Sequence, residues 1–136
     1  MLFLLVLLAG CGGGNAQDDF VNDALDSCKK SNARVLALGT PESYPETQLY
    51  ARRAKDAVGD EIEELRNLEP PPELEAPFND YLATLEERRR QLDLLVAAAD
   101  KNDAGAVQDI GSELGLLSAK AKTQTRRAGI AACEPG

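Results

Sequence analysis

Apolar residues return every three or four positions through most of this chain and do not alternate residue by residue, a pattern that predicts helices and no strands. Four such segments are separated by Pro, Gly and Asn/Asp punctuation. The first, over residues 18–38, aligns Val21, Ala24, Leu25, Cys28, Val35 and Leu38 on one face. It opens with Asp18, Asp19 and Asp23, acids favoured by the positive end of a helix, and stops at Gly39-Thr40-Pro41. Ser43 followed by Glu46 has the spacing of a capping box and starts a second helix over 44–68, with the stripe Ala51, Ala54, Val58, Ile62 and Leu65.

Pro70-Pro71-Pro72 lacks backbone donors and makes a stiff connector. A third helix over 73–100 carries Phe78, Tyr81, Leu82, Leu85, Leu92, Leu95, Val96 and Ala99, with a gap where Arg88 or Arg89 faces inward. Asn102 or Asp103 caps a fourth helix, in which Val107, Ile110, Leu114, Leu117, Ala121, Ala128 and Ala131 alternate by three and four, interrupted at Gln124. Residues 18–136 therefore read as one all-α domain, an up-down-up-down four-helix bundle, because short connections make sequential helices antiparallel neighbours. The end of the fourth helix is expected beside the start of the first. There Lys120, Lys122, Arg126 and Arg127 would face Asp18, Asp19, Asp23 and Asp26.

The N-terminus has a different character. The run Met1-Leu2-Phe3-Leu4-Leu5-Val6-Leu7-Leu8 ends in Leu8-Ala9-Gly10-Cys11, which resembles the lipobox of bacterial lipoproteins. The resemblance implies a signal peptide over residues 1–10, cleavage after Gly10, and a diacylglyceryl thioether on Cys11. Two or three acyl chains would hold the protein on the cell membrane facing the extracytoplasmic side, where a single chain would not. About ten apolar residues are too few to span a bilayer. Residues 11–17, the lipidated Cys followed by Gly12-Gly13-Gly14-Asn15-Ala16-Gln17, form a tether with a reach of roughly 15 Å by random-coil scaling.

With Cys11 assigned to lipid, Cys28 and Cys133 remain, and an exported compartment oxidises such a pair. The expected disulfide ties the first helix to the end of the fourth and stabilises by roughly 2 to 5 kcal/mol. The mature pattern is similar to small helical exported lipoproteins of actinobacteria-type genomes. It combines one Cys in the first helix, a Leu-x-Pro-Pro connector, Ala-Ala-Ala-Asp-Lys-Asn-Asp-Ala before the last helix, and Ala128-Gly129-Ile130-Ala131-Ala132-Cys133. That resemblance implies the bundle and the Cys28–Cys133 bridge and carries over no catalytic or binding residue.

Charge and composition narrow the function. The chain has 23 Asp plus Glu against 15 Lys plus Arg, a net charge of −8, with no Trp. Such a surface repels nucleic acid and lacks the aromatic platforms of single-strand binders. There is no His, and the one Met is Met1, which excludes histidine-ligated haem and the Glu-x-x-His di-iron arrangement; no cofactor is expected. Ser43, Ser112 and Ser118 have no histidine base, so no catalysis is expected. Asp60, Glu61 and Glu64 could offer carboxylates to a hard cation but read first as a solvated acidic face.

In Arg88-Arg89-Arg90, one guanidinium is expected to reach out from the core seam or to pair with an acid on another helix, while the other two are solvated. Gly111 and Gly115, four apart, suggest close approach of a neighbouring helix. These features lead to a membrane-anchored, non-catalytic binding or scaffold module with a protein partner at the envelope. The alternative is a bundle that binds a small ligand or cation in an interhelical cavity near Arg89, Gly111 and Gly115.

Overall fold

The computed structural model describes residues 15–133. The signal peptide and Cys11 expected from the sequence lie outside them. Among the described residues there are four α-helices, α1 (Asn15–Leu36), α2 (Tyr44–Arg66), α3 (Pro72–Asp100) and α4 (Ala104–Arg127), a short closing 3-10 turn (Ala131–Cys133), and no strand. These residues are all-helical and consistent with a four-helix bundle. No helix among the described residues is long and apolar enough to cross a membrane.

Local chemistry sets the helix ends. Helix α1 begins at Asn15, so the last three residues of the expected tether are helical. It ends two residues early, where Leu38 N–H turns back to the Val35 carbonyl and Gly39 adopts φ +70°. Ser43 Oγ accepts from Glu46 N–H, while the Glu46 carboxylate accepts from Glu42 N–H, one residue before the position a reciprocal capping box would use. Asp103 serves two helices. Its N–H closes α3 on the Ala98 carbonyl, with Asn102 at φ 53°, and its side chain accepts from Ala106 N–H to cap α4.

At the end of α4 the structure corrects the expected stripe. The helix stops at Arg127, and Gly129, at φ +78°, turns the chain so that Ile130 N–H bonds the Thr125 carbonyl. This left-handed step buries Ile130 and leaves Ala131 exposed, the reverse of a continued helical register.

Packing follows chain order: α1 lies on α2, α2 on α3 and α3 on α4, and the closing turn touches both α1 and α4. No Cα of α1 comes within 8 Å of one of α4, so the expected contact between these two helices is absent among the described residues and only the closing turn links them. Ion pairs Lys30–Glu64 and Arg34–Asp60 join α1 to α2, and Lys55–Asp93 and Arg66–Glu86 join α2 to α3.

The core contains the whole α2 stripe together with Phe78, Tyr81, Leu85, Leu92, Leu95 and Ala99 of α3. Helix α1 adds Phe20, whose ring stands edge-on to Phe78 with centroids 5.0 Å apart, and then Ala24 and Cys28. Such edge-to-face pairs contribute about 0.5 to 1.5 kcal/mol beyond area burial. Cys28 and Cys133 form a buried disulfide pair with Cα atoms 5.8 Å apart.

Candidate functional site

A polar seam runs through this apolar core. Glu61 of α2, only 2% exposed, occupies the same inward register as Ala54, Val58 and Leu65. Tyr81 of α3 lies opposite, and its hydroxyl donates to Glu61 Oε1 at 2.6 Å. The Tyr81 oxygen also lies 3.2 Å from Cys28 Sγ, so the disulfide and the carboxyl flank one phenol. Around them Ser31 donates to the Ala57 carbonyl at 3.3 Å, and Asn32 Nδ2 donates to the Cys133 carbonyl at 3.5 Å.

Burial pushes the Glu61 carboxyl above its ordinary range. The bond from Tyr81 and the charge of Arg88 offset this only in part. Burial, with the Glu61 charge beside it, also drives the Tyr81 phenol well above its ordinary value. Glu64, one turn on, behaves oppositely. The bond from Lys30 holds its carboxyl below the usual value.

The acidic trio read from the sequence is thus divided. Glu61 is internal rather than part of a solvated face, while Asp60 and Glu64 are engaged by Arg34 and Lys30. No group of three or more His, Cys, Asp or Glu is arranged to hold a metal among the described residues. Ser43 caps α2, and Ser112 and Ser118 donate to carbonyls one turn earlier in α4.

The arginine run resolves by helical rotation. Arg88 turns inward and is half-buried, whereas Arg89 and Arg90 are exposed. Arg90 pairs with Glu87, and Arg89 lies along Gly59 of α2, with its Nε 3.9 Å from where a glycine Cβ would stand. Arg89 borders a shallow hollow with Ile62, Arg66, Glu86, Arg90 and Asp93, and neither Gly111 nor Gly115 belongs to it. Both glycines are exposed on α4 with nothing within 4 Å of an added Cβ, so no helix approaches closely there. The three ligand candidates are therefore not brought together.

Arg88 instead lines a cleft of about 280 Å³ where α1 and α4 stand apart. Its polar lining also includes Asn32, Thr40, Tyr50 and Ser118, drawn from α1, the connection after it, α2 and α4. Arg88 Nε is enclosed and has no hydrogen-bond partner, and no carboxylate lies within ion-pairing distance of this guanidinium among the described residues. A larger hollow of about 370 Å³ lies nearby beside Glu42, Glu46 and Arg53, whose side chains are all exposed.

Two sequence signals pointed here. Glu61 stands at three- and four-residue spacing from Val58 and Leu65, and the break in the α3 stripe marks Arg88. Compared with family models, curated proteins and solved structures, the chain finds no match in any of the three.

Proposed function

We propose that this chain is an extracytoplasmic, lipid-anchored, non-catalytic binding module of the cell envelope, with Cys11 carrying the lipid and residues 18–136 presenting an up-down-up-down bundle to a protein partner. The observation that carries this reading is the Cys28–Cys133 pair, buried and at bridging distance. A structural disulfide belongs to an oxidising compartment, and it uses both cysteines other than the one in Leu8-Ala9-Gly10-Cys11. Packing in chain order through short connections supports the alternating course of the helices.

The test is intact mass spectrometry of the chain extracted from membranes of a lipoprotein-competent bacterium, alkylated with and without prior reduction. The expected mass starts at Cys11, carries acyl groups, and shows two thiols only after reduction. An unprocessed chain with three free thiols overturns the proposal, as does a Cys11→Ala variant that remains with the membranes. A second reading, binding of a small ligand, is favoured by one observation: the cleft at Arg88.

A further inference from the structure

We infer that the cleft at Arg88 is a binding site for a small monocarboxylate with a short apolar tail. The inference rests on the small-ligand reading and is independent of the lipid anchor. A guanidinium buried among helices normally has a carboxylate or carbonyl against it, because its donors cannot be left dry without cost. Arg88 has no carboxylate within 4 Å among the described residues, the Glu61 charge acting on it only from farther off, and its Nε is an unmet donor. The planar fork of arginine matches the two oxygens of a carboxylate. Asn32 and Ser118 also line the cleft, but their donors are already given to the Cys133 and Leu114 carbonyls, so the anion is held by Arg88.

Charge selects a single negative group. One guanidinium neutralises one charge, the Glu61 carboxyl faces Arg88 from the core, and a chain of net charge −8 disfavours a dianion such as phosphate. Part of the wall is apolar: Val35 and Leu36 of α1 and the ring of Tyr50. Leu36 is 64% exposed, an apolar surface that a ligand tail would cover. The site is formed because α1 and α4 make no close backbone approach, which leaves room over α3.

The experiment titrates the full chain, in non-ionic detergent, with hexanoate, hexanamide and inorganic phosphate, following heat and the arginine Nε–H resonances. Hexanoate is expected to bind saturably and to move one Nε–H signal, which is missing in Arg88→Met. Arg88→Met should weaken hexanoate about tenfold or more, and Arg88→Lys, which keeps charge but loses the fork, should fall between. Ser118→Phe, which narrows the cleft without touching Arg88, should also weaken it and serves if Arg88→Met does not fold. Absence of a saturable response to hexanoate, or affinity unchanged by both Arg88→Met and Ser118→Phe, overturns the assignment. An equal response to hexanamide overturns the carboxylate specificity and leaves the small-ligand reading standing, and tighter binding of phosphate overturns the monoanion argument.

Discussion

The Tyr81 hydroxyl donates to Glu61 Oε1 at 2.6 Å, and both residues are almost wholly withdrawn from solvent. Neither would be stable in the core without the other, since an unpaired buried polar group costs about 1 to 3 kcal/mol. Tyr81→Phe and Glu61→Met should each destabilise by an amount of that order. The double variant should lose clearly less than the sum, because the second substitution removes a group already orphaned by the first. Urea unfolding of the four proteins measures the coupling, and strict additivity would refute it.

The same pair sets a pH dependence. Glu61 takes up a proton more readily folded than unfolded, because burial raises its carboxyl above the ordinary range. Its stabilising contribution is fully present below the unfolded value and is lost as pH rises through the higher folded one. Glu61→Gln, which still accepts from Tyr81, should gain stability relative to the parent as pH climbs out of that window and then level off. Glu64 has the opposite sense, its contribution being present above the ordinary carboxyl range and lost as pH falls through its lowered folded value, but it is common to both proteins and cancels in the difference. A stability difference flat from pH 4 to 8 would contradict the shift.

Cys28→Ser and Cys133→Ser should destabilise equally, by about 2 to 5 kcal/mol, and the double variant should be no worse than either. Thermal unfolding with and without reductant is the measurement. Reductant should lower the parent to the level of the variants and leave the variants unmoved.

Gly111 and Gly115 sit in an exposed helix with open space around them. Alanine at either should stabilise by about 0.5 to 1 kcal/mol through helix propensity alone. Gly129→Ala should do the reverse. Its Cβ would meet only ordinary contacts with Leu74 and Val21, at 3.9 Å, but φ +78° forces an L-residue into the left-handed region at a cost of about 1 to 2 kcal/mol. Melting temperatures of the three variants should fall on opposite sides of the parent, and a loss at Gly111 or Gly115 would reveal a packing role for these positions.

What the sequence disclosed follows from how helices bury surface. The α2 and α3 stripes were readable because their apolar side chains recur without interruption at Ala51, Ala54, Val58, Ile62 and Leu65 and at Phe78, Tyr81 and Leu85. Helix α1 was harder. Its true seam, Phe20, Ala24, Ser27, Cys28 and Ser31, includes two serines that a hydropathy pattern counts as exterior. Glu61 was missed for the same reason, since its register is internal but its chemistry reads as surface. The break in α3 placed an arginine at the seam, yet three consecutive arginines differ by only a fraction of a helical turn, and contact with neighbouring helices selects Arg88. The exchange of Ala131 for Ile130 depends on the left-handed turn at Gly129, a backbone step that periodicity cannot register.

The bond between Cys28 and Cys133 closes the intervening chain into a ring that contains α2, α3, α4 and the later part of α1. Every connection between helices, at residues 37–43, 67–71 and 101–103, lies inside that ring. A protease that nicks one of them opens the ring without dividing the molecule. The cut protein should migrate as one species until a reductant separates the fragments, so a single clip leaves all four helices covalently together.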